Sequence, residues 1–152
     1  MHTTRVSMYL LGLAIAGLVL AADSVARPQS AVTYFSAADV DAAFVKGGTL
    51  VEAANFRVMT PTRTAGGEAE QHANDTDIFH VLDGSATFVT GGTLIGGHET
   101  AAGEIRGTGI DGGTTYALKA GDVITIPPGV PHWFRAVEGR CRYFVVKVAQ
   151  AR

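Results

Sequence analysis

From Thr49 onward no helical period survives, and short runs rich in Val, Ile, Phe, Thr and Tyr are separated by glycine pairs at Gly66-Gly67, Gly91-Gly92, Gly96-Gly97 and Gly112-Gly113. β-Branched and aromatic side chains suit a pleated, half-buried surface, and paired glycines supply the backbone freedom that tight reversals need. This punctuation predicts strands over residues 49–52, 56–63, 68–73, 77–83, 85–90, 114–119, 122–127, 132–137 and 142–149. So many short strands imply an all-β sandwich or barrel that closes its own edges. The stretch from Gly91 to Gly113 is glycine-rich and weakly apolar, and reads as an extended hairpin or loop over one mouth of that barrel.

One helix is predicted ahead of the strands. Residues 36–47, SAADVDAAFVKG, begin with Ser36, carry Asp39 where a capping box needs an acid, and stop at Gly47.

The first residues, MHTTRVSMYLLGLAIAGLVLAADSVARPQS, combine Arg5, an apolar run from Met8 to Ala22, and small residues at Ser24 and Ala26. That order is expected of a secretory leader over residues 1–26, cut after Ala26 or a few residues earlier after Ala21. A membrane span needs about 20 apolar residues, and this run is shorter and interrupted by Gly12 and Gly17. The chain therefore divides into a leader, an extension with the helix over 27–48 and a barrel over 49–152. The protein is expected to be exported, periplasmic or extracellular, with no stable membrane insertion after cleavage.

With 152 residues, one core and one domain are expected. Lys and Arg total 12 against 14 Asp and Glu with no basic run, which argues against a nucleic-acid partner. Cys141 is the only cysteine, so no disulfide forms within the chain. Small molecules and a second copy of the chain remain as partners.

Chemistry concentrates at two places. In GDVITIPPGVPHWF, residues 121–134, an apolar strand ends in a Pro- and Gly-rich turn followed at once by His132. Alternation puts His132 on one face with Phe134 and Ala136, and Trp133 on the other, so His132 looks toward an aromatic interior. In EAEQHANDTDIFHVLDG, Glu70 and His72 are two apart and share a face, while Asp77 opens the next strand. A polar strand facing water would read the same way. His80 falls with Ile78 and Leu82, as a packing or interface residue, and His98 lies in the glycine-rich stretch, solvated.

Residues 121–132 fit the pattern GxxxxxPxGxxH through Gly121, Pro127, Gly129 and His132. That is the second motif of the cupin family. Glu70, His72, Asp77 and Gly84 occupy the positions of its first motif, with Glu70 replacing a histidine and Asp77 a longer glutamate. A register using His72 and Asn74 fits the acid spacing worse. The chain resembles a small single-domain cupin over residues 49–149.

The resemblance implies a double-stranded β-helix (jelly-roll) barrel holding one divalent metal ion, with Glu70, His72, Asp77 and His132 as ligands. Nitrogen and oxygen donors without thiolate suit Fe(II), Mn(II), Ni(II) or Zn(II). Glu70 is either a fourth ligand or a free catalytic base beside a triad. Pro127, Pro128 and Pro131 stiffen the turn and Gly129 permits its bend, presenting His132 at a fixed angle. Phe79, Phe134, Met59, Tyr116 and Tyr143 are expected as walls. The implied function is a metal-dependent enzyme on a small organic substrate, with oxidative, dioxygenase-like chemistry slightly favoured over isomerase or lyase. The alternatives are a non-catalytic cupin that binds a small molecule or metal chelate, and a metal-free one. The resemblance and the need to cover edge strands imply a homodimer, with Ile78, Leu82 and Trp133 as interface candidates.

Overall fold

The computed structural model describes residues 31–150, and the expected leader lies outside them. α1 (Ala37–Lys46) is built as its sequence dictates. Ser36 accepts from the Asp39 amide, the Asp39 carboxylate accepts from the Ser36 amide at 3.0 Å, and Gly47 closes the helix in the left-handed region. Its one buried residue, Phe44, meets Phe144 edge-on at 5.5 Å.

Twelve strands follow: β1 (Gly48–Glu52), β2 (Phe56–Thr60), β3 (Thr62–Arg63), β4 (Ala69–His72), β5 (Asp75–Thr90), β6 (Thr93–Ile95), β7 (His98–Ala101), β8 (Glu104–Gly107), β9 (Gly109–Asp111), β10 (Thr114–Lys119), β11 (Val123–Ile126) and β12 (His132–Ala149). All but β6 and β9 join one antiparallel sheet. β5 and β12 form its spine, paired from His132 with Thr90 to Ala149 with Asp75. β10 and β11 flank β5, while β2, β3 and β4 flank β12. The architecture is the expected jelly-roll barrel. Among the described residues no helix is long and apolar enough to cross a membrane.

Two differences from the sequence reading have physical causes. Residues 77–83 and 85–90, expected as separate strands, belong to the single strand β5, as do 132–137 and 142–149 to β12. Gly84 bends the spine without ending it, at φ 78°, and a Cβ there would lie 1.8 Å from the Arg140 carbonyl oxygen. β12 yields opposite it through register shifts between Glu138 and Tyr143. The glycine-rich stretch is likewise more than a loop, because β8 pairs with β4 from Ala69–Gly107 to His72–Glu104, and β6 pairs with β9.

The main core is aromatic. Phe79, Phe88, Phe134 and Tyr143 are buried, with ring centroids 4.8 Å apart for Phe88–Phe134 and 4.9 Å for Phe134–Tyr143. Burying each such ring is worth about 1.5–3 kcal/mol, and each well-placed pair about 0.5–1.5 kcal/mol more. A second cluster gathers Ala69, Val89 and Ile110 under Leu94 and Trp133. Trp133, which is half-buried, also donates from Nε1 to the Gly67 carbonyl at 2.6 Å.

Candidate metal centre

β4, β5 and β12 bring Glu70, His72, Asp77 and His132 to one place. Glu70 and His132 are register partners across β4 and β12, and Asp77 begins the buried part of β5. The turn before His132 is tied to the other motif: the Gly129 amide donates to the His72 carbonyl at 2.8 Å. Pro131's carbonyl accepts from the Gly91 amide at 2.9 Å and the Thr90 hydroxyl at 3.1 Å. A turn pinned at both ends presents His132 at a fixed angle.

Both imidazoles are buried, and each has its outer nitrogen engaged. His72 Nδ1 meets Glu104 Oε2 at 2.7 Å, and His132 Nδ1 meets the Val130 carbonyl at 3.3 Å. With each Nδ1 engaged outward, both Nε2 atoms point inward, and neither has a hydrogen-bond partner. Around them stand two carboxylate oxygens. His72 Nε2 lies 3.6 Å from Glu70 Oε2 and 3.4 Å from Asp77 Oδ2; His132 Nε2 lies 4.0 and 3.6 Å from the same atoms.

The cations around the carboxylates define their roles. Glu70 Oε1 receives Arg106 Nη1 at 2.6 Å and Arg63 Nη2 at 3.2 Å, leaving Oε2 for the imidazoles. Lys147 Nζ holds both oxygens of Asp77 at 2.8 Å. Burial opposes ionisation of Glu70, but His72 and the Arg106 guanidinium outweigh it and hold the carboxyl well below its usual range. Asp77 is lowered in the same way, against burial, by His72 and Lys147.

The two imidazoles diverge. Burial alone would lower His72, yet the Asp77 and Glu70 carboxylates push it up to about 9. His132, wedged between Phe79 and Phe88 at centroid distances of 6.0 and 6.1 Å, is lowered by burial to about 4.

This donor set fits a divalent ion. Glu70, His72 and His132 each offer one ligand atom within 4.8 Å of the others. Four donors about 2.1 Å from a common centre stand about 3.4 Å apart in a tetrahedron, close to the separations between the imidazole nitrogens and the carboxylate oxygens. The His132 Nε2, buried beside two ionised oxygens and without a hydrogen-bond partner, is otherwise expensive to bury.

Glu70, Asp77 and His132 line a cavity of about 490 Å³, with Met59, Phe79, Phe134 and Tyr143 among its walls. Tyr116, also expected as a wall, is instead 42% exposed on β10, where the residues from Thr114 to Ala117 are all exposed. His80 and His98 are exposed.

Four residues of the site escaped the sequence reading. Lys147 had a signal: it follows Tyr143 and Val145 at two-residue spacing on an inward strand face, where a lysine needs a buried partner. Glu104 and Arg106 sit in the stretch read as a loop, which offered too little alternation to show a face, and Arg63 ends a run read as one strand over 56–63 that the structure divides into β2 and β3 at Pro61.

Residues 100–147 match the family model described as Cupin domain. No curated protein matches the chain. Among solved structures, it is similar to a variant of Streptomyces PAC13 solved with uridine, at 14% identity over 64% of this chain and 62% of that one, with TM-score 0.44. It is also similar to procruciferin, an 11S globulin from Brassica napus, at 17% identity over 63% and 21% of the two chains, with TM-score 0.46. A third is a cupin protein from Bacteroides fragilis, at 14% identity over 62% and 66%, with TM-score 0.41. The match covers less than two thirds of each of these chains.

Proposed function

We propose that this small cupin-superfamily domain is a metal-dependent enzyme acting on a small organic substrate in the cavity of its barrel, with oxidative, dioxygenase-like chemistry favoured over isomerisation or elimination. The observation that carries this reading is the pair of buried Nε2 atoms, without hydrogen-bond partners, that face Glu70 Oε2 and Asp77 Oδ2 beside the cavity. A divalent ion held by two histidines and a carboxylate supplies Lewis acidity and open positions of the kind mononuclear oxygenases use, and Fe(II) suits that chemistry best among Fe(II), Mn(II), Ni(II) and Zn(II).

His72, His132 and Glu70 are the primary ligands in this reading, and Asp77 is a further donor. Glu70 serves as a ligand rather than as a base, because two guanidiniums on Oε1 favour its ionised form and weaken it as a proton acceptor. The same two arginines fix which oxygen faces inward. Lys147 offsets the charge of Asp77, so that two carboxylates share one buried site without repelling each other. Met59, Phe79 and Phe134 give the cavity an apolar side that excludes water from the substrate.

A non-catalytic binding role is the second reading, favoured by one observation: both carboxylates beside the imidazoles are held by cations, leaving neither as a free base. Oxygen uptake by the Fe(II)-loaded protein over a panel of small organic compounds separates the two. Turnover supports the enzyme; thermal stabilisation by a ligand without turnover contradicts it. We also propose export, from the leader-like residues 1–26, and a homodimer. Mass spectrometry of the mature N-terminus and the solution mass from small-angle scattering test these.

A further inference from the structure

The cavity holds a second clue, which deepens the metal reading and rests on it. Its charged lining is balanced, with Arg63, Arg106 and Lys147 against Glu68, Glu70 and Asp77. A divalent ion among neutral imidazoles tips that balance to a net positive charge, and a low-dielectric pocket focuses such a charge on whatever enters. The buried acceptors are already engaged. Glu70 Oε1 takes two guanidiniums, Asp77 takes Lys147 on both oxygens, and Glu70 Oε2 faces the imidazoles. Glu68 is exposed.

Tyr143 differs from these groups. Its residue is 2% exposed and lines the cavity, and its phenolic oxygen accepts from Arg63 Nε at 2.9 Å. Among the described residues no protein group accepts from that hydroxyl, so its proton is available to whatever occupies the cavity. A phenol whose lone pair is taken by a guanidinium is oriented and polarised as a donor.

The geometry points to a small organic acid as the cavity's ligand, with the Tyr143 hydroxyl donating to one of its oxygens and Met59, Phe79, Phe134 and Val145 covering its carbon skeleton. Charge selects the acid, and Tyr143 reads its oxygen. A neutral amide of the same shape places an NH2 group, itself a donor, where the second carboxylate oxygen would sit, and gains nothing from the positive field.

The test uses full-length mature protein loaded with Zn(II), which is redox-silent, and titrates benzoate against benzamide and malonate against malonamide by calorimetry. The expected result is at least about tenfold tighter binding of each acid than of its amide. In Tyr143→Phe, acid affinity should fall about tenfold while Zn(II) content is unchanged, as expected for loss of one hydrogen bond to a charged group. Equal binding of acid and amide overturns the inference on the unmutated protein, whatever the stability of the variant. Undiminished acid binding by a folded Tyr143→Phe removes Tyr143 from it. Wild-type protein that takes up no Zn(II) overturns the metal reading and this inference together, whereas one equivalent of Zn(II) without acid preference overturns this inference alone.

Discussion

The Gly129 amide donates a 2.8 Å hydrogen bond to the carbonyl of His72, joining the turn that presents one imidazole to the strand that carries the other. Gly129 sits at φ 75°, a conformation that costs other L-residues about 1–2 kcal/mol. No atom lies within 4 Å of where a Cβ would stand, so the cost of a side chain there is conformational rather than steric. Gly129→Ala is therefore expected to lower the melting temperature by several degrees and to weaken metal binding as well. Thermal unfolding with and without Zn(II) checks this, and a larger loss is expected in the loaded form.

A proton competes with the ion at His72. In the metal-free protein His72 is raised to about 9, so it is charged at neutral pH and must release its proton to bind. Metal affinity should rise about tenfold per pH unit from neutral pH and level off near 9, with about one proton released at pH 7.5. Calorimetry in buffers of differing ionisation heat counts that proton.

The same groups set the pH profile of metal-free stability. His72, with its folded pKa raised to about 9, adds stability that is full below its unfolded value of 6.5 and is lost as pH rises through 9. His132, lowered to about 4, binds its proton more readily when unfolded, so its contribution is lost as pH falls from 6.5 toward 4. Lowered Glu70 and Asp77 add to the acid-side loss. Urea unfolding of the chelator-treated protein should be most resistant near pH 6.5, with decline on both sides.

Glu104 acts through His72. Its carboxylate at 2.7 Å from Nδ1 fixes the tautomer and raises the basicity of Nε2. Glu104→Ala should lower Zn(II) affinity about 10- to 100-fold, and Glu104→Gln, which keeps an acceptor, should recover part of it. Competition with a chelating dye measures both, and far-ultraviolet circular dichroism should be unchanged.

Asp77 and Lys147 form a buried ion pair, with side chains 2% and 12% exposed. Removing the cation leaves His72 as the remaining partner of a buried carboxylate, so Lys147→Met should destabilise the metal-free protein by less than the roughly 3–5 kcal/mol of a fully broken buried pair, and by more above pH 9, where His72 loses its charge. Bound metal compensates the carboxylate charge, and the loss in the loaded protein should be smaller. Urea titrations of both forms give the difference.

The sequence made the jelly roll legible because glycine pairs and β-branched runs report strands locally, and Gly121, Pro127, Gly129 and His132 fall at a fixed spacing across β11 and the turn that follows it. Glu70 and His72 were visible through strand alternation. What stayed hidden depends on contacts distant along the chain. Glu104 reaches His72 only because β8 pairs with β4, a pairing across a glycine-rich stretch without apolar alternation to announce it. The packing of Trp133 in the second cluster likewise draws on Ile110 and Leu94 from that same stretch. The bend at Gly84 was misread as an end, because a glycine that stops a strand and one that bends it look alike in sequence.

Metal content tests the central claim most directly: elemental analysis of tag-free mature protein beside His132→Ala. About one equivalent of iron, manganese, nickel or zinc in the wild type, lost in the variant while circular dichroism shows the barrel intact, is the predicted result. No metal in the wild type, or an undiminished equivalent in His132→Ala, would contradict it.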